Sequence, residues 1–286
     1  MSDPEVSIVI VSWNVRDLLI DCLQSIERFV RTPHEVVVVD NHSSDETVEM
    51  VRQKFPNVTV IANATNAGFA RANNQGWERT SGKYVFFLNP DTEFINDPFP
   101  ALVQYASTHP KAGCIGPELL NSDRTHQPSV RRFPRLADQF FVLLKLRMLY
   151  KIIPPLKRYM ADVPMTDKEP KIVEQLMGAA LFIPRGVLLA GNTFDEGYWI
   201  WFEEVDLCSR IQQSGKDIVY LPTAQIIHHG GKSFIQHVSL AKHVWLLKSL
   251  LRYAKKYWQP WEVAVLYVLM PISYVLTIIQ SLFTPR

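Results

Sequence analysis

From Val6 to Leu88 the chain alternates short β-branched or aromatic runs with longer segments whose apolar residues fall at helical spacing. Val6 to Ser12 is the first run. Arg16 to Phe29 comes next, with Leu18, Leu19, Cys22, Leu23 and Ile26 positioned for one helical side. Glu35 to Asn41, EVVVVDN, predicts a second strand. Ser44, three residues ahead of Thr47 and followed by Asp45 and Glu46, predicts the cap of a second helix. Val58 to Ile61 is a third strand, Gly68 to Thr80 a third helix ending near Ser81-Gly82, and Lys83 to Leu88 a fourth strand. Short apolar strands alternating with helices of about three turns predict an α/β unit, a mostly parallel sheet with helices on both faces.

The second half keeps the pattern less regularly. Met177 to Pro184, MGAALFIP, reads as a buried strand, and Asn192 to Gly197 as a turn. A helix beginning at Glu203-Glu204 sets Leu207, Cys208 and Ile211 along one flank and pairs Asp206 with Arg210 four residues on. Ile218 to Leu221 and Ala224 to Ile227 predict two further strands before His228-His229-Gly230-Gly231-Lys232-Ser233. After Glu262 the chain carries no charge until Arg286, a stretch long enough to cross a bilayer even with Pro271 inside it. Lys248, Arg252, Lys255, Lys256, Trp258 and Trp261 precede it, a basic flank and aromatic belt that put the rest of the chain on the cytoplasmic side. Two other readings stand beside a spanning helix: an interfacial hairpin formed with Val238 to Leu251, and a buried C-terminal helix or dimer contact.

Composition narrows the classes. The 286 residues are 47% apolar and 20% charged, with a net charge of +2, so no bulk field calls for a nucleic-acid partner. The charge is uneven: Lys145 to Arg158 holds Lys145, Arg147, Lys151, Lys157 and Arg158 with no acid, among Leu, Met, Tyr and Ile residues that suit a membrane or a lipid acceptor. Cys22, Cys114 and Cys208 stand far apart, which fits a reducing compartment and no zinc knot. The N-terminus has no basic region followed by a long apolar core, so no signal peptide is expected.

Sheets of this kind bind ligands at the carboxyl ends of their strands. The residues just past each predicted strand are polar: Ser12-Trp13-Asn14, then Asp40-Asn41, then Asn63 to Gly68, then Asn89-Pro90-Asp91. The first turn is not GxGxxG, and no Walker-type phosphate loop occurs, so a phosphate needs another holder. A carboxylate carrying a divalent cation, Mg2+ or Mn2+, supplies one. Pro90 ends the strand and presents Asp91 past it, although an Asx-turn that merely stops a strand reads the same way. Glu203 and Glu204, at a helix N-terminus, should stay ionised and could take a proton from a hydroxyl nucleophile; acids also favour first turns for stability alone. His228 and His229 could ligate a metal or bond a phosphate.

The stretches VSIVIVSWN, VVVVDNHSSDET, NATNAGFARANNQG, FLNPDTEF, MGAALFIPRGVL, FDEGYWIWFEEVDLCSRIQQSGKDIVYLP and IIHHGGKS together resemble the inverting family 2 glycosyltransferases of the GT-A fold, in particular a rhamnosyltransferase-like branch. The resemblance spans about residues 5–235 and implies a Rossmann-like, mostly parallel sheet followed by an apolar helical tail. It implies a nucleotide-sugar-binding half over 1–110, an acceptor-binding and catalytic half over 111–235, and a membrane-associated tail over 236–286. By its pattern Ser12, Trp13, Asn14 and Asp40 contact the nucleotide. Asn66, Gly68, Arg71 and Asn74 bind nucleotide or diphosphate. The family's D-x-D becomes Asn89-Pro90-Asp91, with Asp91 the metal ligand and His228 or His229 beside it. Glu204 takes the place of the base, where the family pattern has Asp, and Glu203 and Asp206 are alternatives. The implied reaction moves rhamnose from dTDP-rhamnose to a lipid-linked or polysaccharide acceptor, such as one carried on a polyprenyl diphosphate, at the cytoplasmic face of the inner cell membrane. Two rival readings remain: a UDP-sugar-dependent hexosyl or galactofuranosyl transferase, and an inactive polysaccharide-assembly protein. A sugar-nucleotide-forming nucleotidyltransferase would need a glycine-rich first loop, where this chain has SWNVRD.

Overall fold

The computed structural model describes residues 4–160, 168–230 and 240–283. The alternating first half is β1 (Val6–Ser12), α1 (Arg16–Phe29), β2 (His34–Asp40), α2 (Thr47–Lys54), β3 (Thr59–Ala62), α3 (Phe69–Trp77) and β4 (Tyr84–Leu88). Next come β5 (Thr92–Phe94), α4 (Phe99–Thr108), β6 (Ala112–Leu120), β7 (Val130–Arg131), α5 (Leu136–Leu143), a 3-10 turn at Arg147–Leu149, α6 (Pro154–Tyr159), β8 (Lys171–Val173) and β9 (Gln175–Leu176). The chain continues through β10 (Ala180–Pro184), α7 (Arg185–Leu189), α8 (Glu203–Gln213), β11 (Asp217–His228), α9 (Leu240–Tyr257) and α10 (Pro260–Phe283).

One sheet runs in the order β3-β2-β1-β4-β10-β6-β11-β5, with β8 also on β11. β1 is parallel to β2 and β4, β2 to β3, and β6 to β11. β10 enters antiparallel between β4 and β6 and joins the two halves of the chain into one sheet. Its central strands β1, β4, β6 and β10 are buried almost end to end because both faces are covered. Val6, Ile8 and Ile10 of β1, Phe86 of β4 and Phe182 of β10 pack toward α1 and Phe99. Their neighbours Val9, Val85, Phe87, Leu181 and Ile183 pack the other way, against Leu207, Cys208 and Ile211 of α8.

Two expectations need correction. Ser44 does not cap α2: its backbone N–H donates to Asn14 Oδ1 at 2.8 Å, and the helix starts later, at Thr47, behind Glu46 in a left-handed conformation (φ 62°). The two late strands are a single one, β11, whose register against β6 shifts between Leu221 and Gln225. The irregularity absorbs Pro222 without ending the strand. Gly231-Lys232-Ser233 of the late motif, and Val238 of the predicted hairpin, lie outside the described residues.

The tail folds back as two helices. α9 packs on the body of the protein: Ser249 Oγ donates to Ile200 O at 2.8 Å, and Arg252 bonds Asp195 at 2.7 Å. α10 packs on α9 and α5, burying Leu266 and Leu269 among Leu247, Leu250, Tyr253 and Ala254.

Candidate active site

Register brings the first polar residues together. Ser12 lies opposite Asp40, and Asp40 opposite Ala62, at the carboxyl ends of β1, β2 and β3. Asp40 is buried, and its Oδ2 accepts the Ser43 N–H at 2.8 Å. Its Oδ1 and the Ser12 Oγ are sealed from solvent without a hydrogen-bond partner. A buried acceptor left unsatisfied is costly, so a ligand N–H or hydroxyl at this point would gain a strong bond. Trp13, 40% exposed, stands at the same rim. Asn14 has another task. Its left-handed backbone (φ 54°) and its bonds to Ser43 and Ser44 tie the β1 loop to the β2 loop.

The NAGFARANN segment forms a seam within the protein through Asn66, Gly68 and Asn74. Asn66 Oδ1 accepts the Gly68 N–H at 2.9 Å, closing the turn. Gly68 has φ 84° and ψ 166°, a region open almost only to glycine. A Cβ there would lie 3.0 Å from the Trp199 carbonyl oxygen and 3.1 Å from its ring. The next N–H, of Phe69, donates to that same carbonyl at 3.0 Å. Asn74 donates to Phe194 O at 2.8 Å and Glu196 Oε1 at 3.0 Å, and accepts the Phe194 N–H at 3.1 Å. Together these residues hold the 194–202 loop against the start of α3. Arg71 keeps its guanidinium in solvent, with Glu196 Oε2 3.9 Å from its Nε.

Asp91 and His228 form the second centre. Both are buried, and His228 Nε2 lies 3.4 Å from Asp91 Oδ1. The tautomer is set by Gln127. Its amide nitrogen donates to Asn121 Oδ1 and to the His228 carbonyl, so its Oε1 is left to accept the His228 Nδ1–H, at 2.6 Å. Nε2 then carries a lone pair, and it has no hydrogen-bond partner. A bare imidazole nitrogen facing a carboxylate oxygen is a pair of donors for a divalent cation, oriented by an outer amide. Among the described residues no third His, Cys, Asp or Glu joins them, so substrate oxygens and water would complete the shell. His229 does not belong to this pair: its Nδ1 meets Ser122 Oγ at 2.8 Å and its Nε2 meets Glu93 Oε2 at 3.3 Å. Asn89 contributes backbone here: its N–H donates to Ala179 O at 2.9 Å, and its carbonyl accepts Thr92 Oγ1 at 2.8 Å.

That Ala179 contact leads to the acids. Gly178, beside it, passes so near Glu204 that a Cβ would sit 3.3 Å from Glu204 Cβ. The close approach seals Glu204 Oε2, which has no hydrogen-bond partner, as has Glu203 Oε2. Two successive left-handed residues, Trp201 (φ 63°) and Phe202 (φ 68°), aim this end of α8. Strain of about 1–3 kcal/mol at each such residue persists only where packing enforces it. Here Phe202 packs among Tyr198, Val205 and Tyr253.

Burial works against the helix N-terminus at both acids. Burial pushes Glu204 up to about 6. Burial, with the Glu204 charge added, drives Glu203 well above the carboxylate range. Glu204, at about 6, still ionises at neutral pH, which poises it as a base. Asp206 sits in a network of its own. Fully buried, it accepts from Arg210 Nε and Lys256 Nζ at 2.8 Å, Tyr257 OH at 2.9 Å and Tyr198 OH at 3.3 Å. It fastens α9 to α8, and its oxygens are taken.

A model described as glycosyl transferase family 2 matches residues 7–158, more than half of the 286 residues. The chain belongs to glycosyl transferase family 2. This glycosyltransferase is 28% identical, over 237 residues, to the N-acetylglucosaminyl-diphospho-decaprenol L-rhamnosyltransferase of Mycobacterium tuberculosis (strain ATCC 25618 / H37Rv), with 79% of this chain and 76% of the relative covered. It is 24% identical over 261 residues to rhamnosyltransferase WbbL of Escherichia coli (strain K12), with 87% and 92% covered. Its fold matches mannosyltransferase PcManGT from Pyrobaculum calidifontis, solved with GDP-Man and Mn2+, at a TM-score of 0.60 and 16% identity, over 100% of this chain and 77% of that one. It matches GalNAc-T7, solved with UDP, GalNAc and Mn2+, at a TM-score of 0.59 and 18% identity, covering 79% of this chain and 44% of that one. The fold is GT-A, and the chain falls in the rhamnosyltransferase-like branch.

Several working residues carried no sequence signal of their own. Gln127 sits in an irregular loop and matters only because β11 brings His228 to it. Asn41, within EVVVVDN, accepts the Asn63 amide at 2.9 Å and donates to Gly68 O at 3.2 Å, locking the seam. Gly178 was legible only as a small residue entering a strand.

Proposed function

We propose that this glycosyltransferase moves a sugar, L-rhamnose from dTDP-rhamnose, to a hydroxyl of a lipid-linked acceptor, with a divalent cation and with inversion at the anomeric carbon. The bare His228 Nε2 facing Asp91 Oδ1 carries the reading, because it calls for a cation where a diphosphate would lie. When bound, Mg2+ or Mn2+ neutralises the charge growing on the diphosphate as the C1–O bond breaks. Asp91 and His228 would hold it, with Gln127 fixing the imidazole. Ser12 and Asp40 bind base or ribose through the two unpaired oxygens, and Trp13 offers its ring beside them. Glu204 takes the proton of the acceptor hydroxyl, which attacks from the face opposite the diphosphate.

The donor assignment is supported by the two rhamnosyltransferase relatives, and a lipid-diphosphate acceptor by the mycobacterial one. In this reading residues 1–110 serve the nucleotide sugar, 111–235 the acceptor and the chemistry, and 236–286 the cytoplasmic face of the membrane. The test is donor binding and hydrolysis across dTDP-rhamnose and the common UDP- and GDP-sugars, each with Mg2+, Mn2+ or chelator. One donor, bound with metal and weakened by Asp91→Asn, is the expected result. A UDP-sugar standing out instead would replace the donor, and no binding at all would leave an inactive assembly protein.

A further inference from the structure

We infer that this chain docks in the plane of an anionic bilayer, through the outer face of α10 and the basic strap at 144–158, and that α10 does not cross the membrane. This rests on the proposed membrane-side placement and deepens it to an orientation and a set of contact residues.

α10 has two unlike faces. Leu266, Leu269, Ser273 and Thr277 point inward and are buried. Trp261, Val268, Val275 and Leu282, seven residues apart, form an outward apolar stripe, with Val268 65% and Leu282 76% exposed. The inner face is committed to α9. His243 Nε2 meets Ser273 Oγ at 3.2 Å, and Lys255 Nζ lies 5.7 Å from the Tyr267 ring centre. The two helices therefore run side by side, antiparallel, from Pro260 to at least Ser273, about 20 Å at 1.5 Å per residue. α9 is in turn fastened along the body through Ser249, Arg252 and Lys256. A spanning α10 would either carry Lys248 and Lys242 into hydrocarbon or strip α10 from α9 and expose Ser273 and Thr277 there. Lying flat, it buries only the stripe and leaves those cations on the body side.

The strap completes the surface. Met148 is 91% and Ile152 78% exposed, and Leu149 and Tyr150 also face out, interleaved with Lys145, Arg147, Lys151 and Lys157. The strap adjoins the hairpin. α5 packs on α10, and the Lys145 charge adds to burial in pushing His243 down to about 4. Apolar tips among cations, with no acid from Lys145 to Arg158, match anionic headgroups and disfavour a second copy of the same face. The strap also borders the base: half-buried Tyr159, at the end of α6, feels the charges of Glu204, Arg131 and Arg147. Lipid contact there would bring an acceptor headgroup to the reacting carboxylate.

The test uses full-length protein and vesicles of phosphatidylcholine alone or mixed with phosphatidylglycerol, without donor or acceptor, so its failure leaves the transfer reaction untouched. Single substitutions Val268→Cys, Val275→Cys and Leu282→Cys, labelled with an environment-sensitive fluorophore, report depth by lipid-borne quenchers, since the native cysteines are buried. The expected result is flotation with the anionic vesicles, weakened by salt, and one shared shallow depth at all three positions. Met148→Glu with Ile152→Glu should lower vesicle-bound protein about tenfold or more. A spanning helix would instead change depth by about 10 Å between successive labels. That profile would overturn the inference, as would a protein that ignores both vesicles and sediments as a dimer through this face.

Discussion

Replacing Glu204 with Gln should make this enzyme slower and, at neutral pH, more stable. The side chain keeps its length, but the proton acceptor is gone. A positioned general base contributes about 10²- to 10⁴-fold, so turnover should fall by at least about a hundredfold with donor binding intact. The stability effect comes from the Glu204 carboxyl, which burial raises from 4.5 to about 6. Between those values the unfolded chain gives up its proton first and the native state holds more protons, so native stability falls as pH rises through the window. Above pH 6 the loss levels off at about 2 kcal/mol. Gln removes that loss and also the negative charge that helps push Glu203 up. Urea unfolding at pH 4.5 and at pH 7 reads it directly. The difference between variant and wild type should grow in favour of Glu204→Gln by about 2 kcal/mol across that range. Wild-type turnover should lose about tenfold per pH unit below 6. A stability difference that does not change between the two pH values, or undiminished turnover, would refute the assignment of Glu204 as a buried base.

Five other substitutions separate roles that the sequence left together. Gly68→Ala forces a side chain into a glycine-only backbone region and against the Trp199 carbonyl. It should cost about 1–3 kcal/mol in denaturation and disorder the 194–202 loop, seen as a changed Trp199 emission. Gln127→Ala should weaken Mn2+ binding in the presence of nucleotide about 10- to 100-fold, whereas His229→Ala should leave it near wild type; calorimetric titration distinguishes them. Asp206→Ala strands Lys256 and Arg210 and should destabilise by about 3–5 kcal/mol. Asp206→Asn, assayed on the folded fraction, should keep kcat within a few-fold, which a base could not do.

How much the sequence disclosed depends on the range of each interaction. β1, α1 and the strand ending at Asp91 arise from local signals: a β-branched run, helical apolar spacing, a proline that stops a ladder. Asn74 was visible, but its partners lie 120 and 122 residues away, so its work as a clamp was not. The choice between His228 and His229 depends on the pairing of β11 with Thr92 of β5, which no local pattern specifies. Asp206 looked like any first-turn acid until α9 returned with Lys256 and Tyr257. Glu203 and Glu204 are both raised against the local rule, because burial outweighs the helix N-terminus, with the Glu204 charge adding to it at Glu203.

The most direct measurement is calorimetric titration of dTDP into the wild-type protein, with Mn2+ and with chelator, beside Asp91→Asn and His228→Ala. Binding that needs Mn2+ in the wild type and is weakened in both variants is the predicted result. Equal binding in all three proteins, with or without metal, would contradict a cation held between Asp91 and His228.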